Sequence, residues 1–409
     1  MQKHIARYVK KARPYMTRSV KTAGLAAAAL LIFASGVGIG NGDISFARLS
    51  SQNGTLPNKL DYSSVNQVYQ AIKANYDGKL TETQLLDGMK AGLAQATGDP
   101  YTEFFSTNDA TDFNNELQGS FTGIGAELGQ DSNKDLIVVA PIDGFPAAKA
   151  GLRAQDIITS IDGQSTVGMT PDTAVSKIRG KKGTTVALKV LRNKTDTLSF
   201  TITREDIKVP SVNYKILDGN IGYMQITQFS DDTAGLATKA AQEFKDKGVK
   251  GVVLDMRDNP GGLLTAAVSV SSLWLPQNET ILQEKRGGQV IQTYQADGSR
   301  IIDQIPTVVL INGGSASAAE ITAGALHDNG QATLMGVKSF GKGSVQQITP
   351  LTGGAEIKVT VARWYRPNGQ NIDKKGITPD TVVPMTDADY TNNRDPQLDA
   401  ATAKLLGNN

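Results

Sequence analysis

The segment INGGSASAAEITAGALHDNG, residues 311–330, holds two serines, Ser315 and Ser317, between a hydrophobic run and a helical pattern. A strand that runs into glycines and then a helix can present a hydroxyl at its exit. A hydroxyl is a weak nucleophile and needs a base in reach. Histidine is the usual base, and the chain has two, His4 and His327. His4 lies in a basic N-terminal tail. His327 follows Ser317 on the same predicted helix, roughly 15 Å away along its axis. A Ser-His-Asp triad is therefore excluded by counting.

Lysine is the remaining base, and Ser-Lys pairs are a known variant. To accept a proton its pKa must fall from about 10.4 towards 7 or 8, which costs the charged form roughly 4 kcal/mol. A dry, apolar pocket does this. In MGVKSFGKGSVQQITPL, Lys342 stands between two glycines with Phe340 and Val345 close by, and Lys338 beside Ser339 is the rival. An extended segment would put Lys342, Ser344 and Gln346 on one face, where the Gln346 amide can orient the amine. The plainer reading of Ser317 is structural, because Ser317-x-x-Glu320 is a capping box.

Two glycine clusters could hold negative charge. In VVLDMRDNPGGLLTAAV, residues 252–268, a turn leads to a helix near Leu263, and the N–H groups of Gly261 and Gly262 would be loose. An exposed serine on one such turn and free N–H groups on another are what acyl transfer requires. In GSFTGIGAELG, residues Gly123, Ile124, Gly125 and Ala126 precede a strand and form a nest for a peptide carboxylate, with the strand edge open to β-addition. The alternatives are an ordinary βα loop and a glycine-rich hairpin. No histidine cluster supports a metal site, and no Walker spacing supports a phosphate loop.

These residues must be positioned by 409 residues, enough for two or three domains. Without cysteine there are no disulfides, thiol nucleophiles or thiolate metal sites. The net charge of +2 hides an asymmetry: residues 1–42 carry seven Lys or Arg and no acid, leaving 35 basic and 40 acidic groups in the rest. That body offers no field for nucleic acid. Residues 23–40, AGLAAAALLIFASGVGIG, are uncharged and would span roughly 27 Å as a helix, close to a bilayer core. With positive charge before it, the segment reads as an anchor with the body outside the cytoplasm. A cleaved signal peptide is the rival reading.

Residues 60–98 read as two helices, the second opening on the capping pattern Thr81-x-x-Gln84. Residues 118–204 read as short strands around one helix, with Thr170 as N-cap, Pro171 in the first turn and Gly180 as the stop. After 210, apolar strands alternate with helices, which argues for α/β layering. A short helix is expected at PQLDAATAKLL near the C-terminus.

Together GDPYTEFFS, GSFTGIGAEL, PAAKAGLRAQDIITSIDGQ, DMRDNPGGLL, SASAAEITAGALHDNGQATLMGVKSFGKGSVQ and YRPNGQNIDKKGITPD resemble the carboxyl-terminal processing peptidases, or tail-specific proteases, over residues 85–385. The resemblance implies an α+β multidomain chain, with an α/β protease core of crotonase/ClpP-like layering and an inserted PDZ domain. It implies these parts: a cytoplasmic tail 1–22, an anchor or signal 23–41, a linker 42–58, a helical and dimerising segment 59–110, a PDZ domain 111–205, a core 206–387 and a tail 388–409. It places the nucleophile at Ser317, the base at Lys342, a supporting amide at Gln346 and the oxyanion hole at Gly262 and Ala318. Substrate C-termini would dock at Gly123–Ala126, and no cofactor is implied. Ala319 stands where many members have serine. The competing expectations are a PDZ scaffold that only binds and a trypsin-type protease, which lacks its histidine.

Overall fold

The protein is described by a computed structural model over residues 58–407, apart from 132, 387, 390, 391 and 393. The tail 1–22, the segment 23–41 and nearly all of the linker 42–58 lie outside these residues. Among the described residues no helix is long and apolar enough to cross a membrane.

The N-terminal part holds α1 (Ser63–Asn75), α2 (Glu82–Gln95), β1 (Glu103–Phe105) and α3 (Thr107–Leu117). The capping box at Thr81 forms with Gln84, as the spacing predicts. Helix α1 buries no residue of its own. The next unit contains β2 (Ser120–Gly123), β3 (Ala126–Gln130), β4 (Leu136–Pro141), α4 (Pro146–Lys149), β5 (Ile157–Ile161), β6 (Gln164–Ser165), α5 (Pro171–Ile178), β7 (Thr185–Arg192), β8 (Asp196–Thr203) and β9 (Glu205–Lys208). Thr170 caps α5 by accepting the Thr173 N–H. A separate small core around Val138, Ile158, Leu188 and Ile202 holds this unit together. Arg179 leaves α5, pairs with Glu116 of α3 and lies 5.0 Å from the Phe121 ring. Gln228 of the following region donates to the Glu116 carbonyl at 2.8 Å. Arg179 is thus tied to the segment joining the two units.

The largest unit comprises β10 (Val212–Leu217), β11 (Ile221–Ile226), α6 (Thr233–Asp246), β12 (Gly251–Asp255), α7 (Leu264–Ser272), β13 (Thr280–Arg286), β14 (Gln289–Gln295), β15 (Thr307–Ile311), α8 (Ala318–Asp328), β16 (Thr333–Gly336), β17 (Ser344–Pro350), β18 (Glu356–Tyr365), β19 (Thr381–Val382) and α9 (Pro396–Leu405). Its six-stranded sheet runs β10-β11-β12-β15-β16-β19, parallel except for β10. Strands β12 and β15 are buried along their whole length, as parallel strands covered on both faces must be. Val252, Leu254, Val309 and Ile311 join the core that also contains apolar residues of α6, α7 and α8. Val253, Val308 and Leu310 face the other way, against Leu398, Ala401 and Leu405 of α9. The helix expected near the C-terminus therefore covers the second face of the sheet.

A second, antiparallel sheet, β1-β18-β13-β14 with β17 on β18, packs against α8 through β13. Its hairpins are absent from the strand-helix rhythm read in the sequence. Strand β1 belongs to it although it precedes β18 by some 250 residues.

Candidate active site

Strands β12 and β15 are parallel neighbours, so the turns that follow them emerge side by side at one edge. This is where ligands bind in open parallel sheets. Four hydrogen bonds join the two turns. Ala316 N–H donates to the Asn259 carbonyl (2.9 Å) and Ser315 Oγ to the Met256 carbonyl (2.8 Å). Asp258 N–H donates to Asn312 Oδ1 (2.8 Å), and Asn312 Nδ2 donates to Asp258 Oδ1 (2.9 Å).

The geometry separates the two serines. Ser315 is buried and bonded to the turn. Ser317 has φ 57° and ψ −112° at the N-cap of α8, a sparsely populated region for a residue with a Cβ. Its Oγ is buried and has no hydrogen-bond partner of normal geometry. A strained turn that lifts an uncommitted hydroxyl between strand and helix is how a nucleophile is presented.

The lysines separate as well: Lys338 is exposed and Lys342 fully buried. Lys342 Nζ lies 4.6 Å from the Tyr101 ring centroid. Its amine is pushed down to about 7, first by burial and second by the charge of Lys358, against the opposing pull of Asp99 and Glu320. Strand β17 puts Ser344 and Gln346 together, Gln346 Nε2 donating to Ser344 Oγ at 2.9 Å and to Thr360 Oγ1 at 3.2 Å. Gln346 Oε1 is buried and takes no bond, so it does not hold the amine in this conformation.

Glu320 joins the two halves. The sequence shows it only as the partner in a capping box. In the structure Glu320 Oε2 accepts the N–H of Ser317 (2.8 Å) and that of Lys342 (2.9 Å). Its Oε1 accepts Ser339 Oγ–H (2.5 Å) and Gly341 N–H (2.8 Å). One carboxylate oxygen thus fixes the backbones of Ser317 and Lys342 relative to each other, 25 positions apart in the chain. Burial pushes the Glu320 carboxyl up, against the pull of its donors.

The Asn-Pro-Gly-Gly turn differs from expectation at Gly261, whose N–H is not loose but donates to Asn259 Oδ1 at 2.8 Å. Asn259 is itself buried and tied to the Ile226 carbonyl. Gly261 C=O accepts Phe229 N–H, and Leu263 N–H donates to Phe229 C=O, leaving the N–H of Gly262 outside both bonds. A Cβ on Gly262 would lie 1.9 Å from the Phe229 carbonyl oxygen, and one on Gly261 would lie 3.0 Å from Ala318 N. The glycine turn therefore sits directly against the first residue of α8, whose N–H is a helix-start donor.

In the smaller unit, Ile124 C=O accepts Ala147 N–H and Gly125 C=O accepts Ile142 N–H. The N–H groups of Ile124 and Gly125 take part in neither bond. Gly123 closes β2 and Ala126 opens β3, which packs beside α5. His327, at the far end of α8, contacts Asp328, Asp380 and Arg366 and is not part of the Ser317 site.

Comparison with known proteins gives two matches within the chain: peptidase family S41 over residues 220–383 and the PDZ domain over residues 137–192. Carboxy-terminal processing protease CtpA of Bacillus subtilis is 38% identical over 326 residues, covering 80% of this chain and 70% of that protein. A carboxy-terminal-processing protease of Bartonella bacilliformis is 37% identical over 364 residues, covering 87% and 82%. Among solved structures, the photosystem II D1 C-terminal processing protease matches with a TM-score of 0.51 and 29% identity, over 78% of this chain and 87% of that one.

Proposed function

Because this chain belongs to peptidase family S41, as a carboxy-terminal processing serine protease with a PDZ domain, we propose that it cuts protein substrates with Ser317 as nucleophile and Lys342 as general base. The observation that carries the reading is the strained, unpartnered hydroxyl of Ser317, whose backbone Glu320 ties to that of Lys342, the residue with a buried amine held near neutrality. Lys342 takes the Oγ proton as Oγ bonds to the scissile carbonyl carbon. It returns that proton to the leaving amine as the C–N bond breaks, leaving an acyl-enzyme. Water then attacks the ester, again giving its proton to Lys342, and Ser317 Oγ leaves with a proton. The N–H groups of Gly262 and Ala318 bind the oxyanion, and Gln346 Oε1 turns to the amine when substrate arrives.

The substrate's C-terminal carboxylate is received by the N–H groups at Gly123–Ala126, and the chain is cut upstream of it. The segment 23–41 anchors the enzyme with its body outside the cytoplasm, which protease protection of the body in intact cells would test. Two chains pair through α1 and α2, where Val68, Tyr69, Leu86, Met89 and Leu93 are exposed. A monomeric mass in light scattering would end that part. A PDZ scaffold without catalysis is the competing reading.

The deciding experiment incubates an unfolded protein of defined C-terminus with wild type, Ser317→Ala and Lys342→Ala. Both variants should lose cleavage entirely while keeping the wild-type circular dichroism spectrum. The kcat/KM of wild type should rise with pH through about 7, since only the neutral amine accepts a proton. Full activity of Lys342→Ala would end the assignment of the base.

A further inference from the structure

We propose that residues 98–105 form a strap that seals the Lys342 amine from water, with Tyr101 as a positioning residue for the reaction. The inference rests on Lys342 being the base. The strap itself precedes the catalytic core in the chain.

The ring of Tyr101 covers Lys342 Nζ at 4.6 Å. The strap is folded on itself before that ring and fastened to β18 after it. Before it, Asp99 accepts Thr102 Oγ–H (2.7 Å) and Tyr101 N–H (3.3 Å). After it, β1 pairs with β18 at Glu103↔Lys358, Phe104↔Ile357 and Phe105↔Glu356. Lys358 Nζ also donates to Glu103 Oε2 at 2.9 Å, and Thr360 N–H donates to Thr102 Oγ1 at 3.3 Å. Thr360 Oγ1 in turn accepts Gln346 Nε2. The strap therefore touches the base through Tyr101 and the supporting amide through Thr360.

Two effects of the ring oppose each other. Its face attracts an ammonium, while its bulk removes the water that an ammonium needs. The second prevails, because burial is the largest influence on this amine. The charged groups around it are Lys358 on β18, Asp99 on the strap and Glu320 on α8. Arg363 and Asp373 act on the Tyr101 side. Lys358 favours the neutral amine, whereas Asp99 and Glu320 favour the charged one. Burial and the nearby carboxylates push the Tyr101 hydroxyl up, so it stays uncharged and acts only as a cover.

The test is the pH profile of kcat/KM for Tyr101→Ala, Tyr101→Phe and Glu103→Gln, read beside their melting curves. Tyr101→Ala should move the lower limb up by about one pH unit, lowering activity near that limb about ten-fold and approaching wild type above it. Tyr101→Phe keeps the ring and should leave the limb in place. Glu103→Gln loosens the strap from an exposed position and should shift the limb the same way by less. It keeps the proposal testable if Tyr101→Ala does not fold. Activity lost equally at every pH, or an unmoved limb in both Tyr101→Ala and Glu103→Gln, overturns the strap. The pH at which Lys342 reacts with an acylating reagent, followed by mass spectrometry in Ser317→Ala, reads the amine without turnover. A normal, high titration there would overturn the base assignment itself.

Discussion

The turns after β12 and β15 have the same topology and opposite designs. Each leaves a buried parallel strand, each opens a helix, and they are bonded to each other. In the first, φ is 101° at Gly261 and 138° at Gly262, so the positions that no side chain could occupy are left without one. Its remaining positive φ falls on Asp258, of a type that tolerates it. In the second, the positive φ falls on Ser317, which has a Cβ. One turn relieves strain so that a backbone N–H can be presented. The other holds strain so that a side chain can be. A catalytic edge of a sheet needs both, and Glu320 fastens the strained one to Lys342.

The largest effect should come from removing that fastening. Glu320→Ala orphans four buried donors, those of Ser317, Lys342, Gly341 and Ser339. Each buried donor left unsatisfied costs about 1–3 kcal/mol, so denaturant unfolding should show a severe loss of stability together with lost turnover. Glu320→Gln keeps the shape but turns an NH2 towards N–H donors, and should fall between. Wild-type stability in Glu320→Ala would show that the two turns hold their geometry without it.

Next comes the relieved turn. Gly262→Ala puts a Cβ against the Phe229 carbonyl and must displace the loop that presents this N–H. Loss of one oxyanion donor lowers kcat by about 10²- to 10³-fold, with KM for a short peptide little changed. A kcat near wild type would mean that this N–H does not face the reaction.

What the sequence revealed follows from how local each feature is. The runs GVVLD and TVVLI announce buried strands, a Ser-Lys pair survives elimination because the chain has so few histidines, and the resemblance singles out Ser317 and Lys342. The helix at 396–405 is visible in the sequence, but its place over the sheet depends on which face of β12 and β15 is left bare. The β13–β14 hairpin has a signal in Gly287-Gly288 between two polar-apolar runs. The β17–β18 pair has less, since EIKVTVARWY mixes charge into its strand. Glu320 looks like a cap because three of its four donors lie elsewhere, two residues of one loop and a serine. Tyr101 and Asp99 stand in GDPYTEFFS, which carries the resemblance but gives neither residue a role, because they reach Lys342 only through pairing across some 250 residues.

A smaller effect reads the buried amine as stability. Its pKa lies at about 7 in the folded chain, against an ordinary lysine value of 10.5. Between those values the unfolded chain binds a proton there that the folded chain has lost, so rising pH favours folding across that window. Below about 7 both states carry the proton and the burial penalty is fully felt. Lys342→Met should therefore be inactive yet melt higher than wild type at pH 7, and this advantage should shrink towards pH 10. A variant that melts lower throughout would mean that the amine's contacts outweigh its burial.

The smallest effect isolates the strained turn. Ser317→Ala and Ser317→Gly both remove the hydroxyl, so neither turns over and their difference is a matter of backbone alone. A non-glycine residue at such a φ and ψ costs on the order of 1–3 kcal/mol, and glycine's own entropy returns about 0.5–1 kcal/mol of that. Ser317→Gly should melt above Ser317→Ala by the few degrees that about 1 kcal/mol brings in a domain of this size. The same exchange at Gly262 should run the other way. If instead Ser317→Gly melts at or below Ser317→Ala, the turn after β15 holds no strain worth releasing, and the contrast between the two junctions reduces to which one happens to carry a hydroxyl.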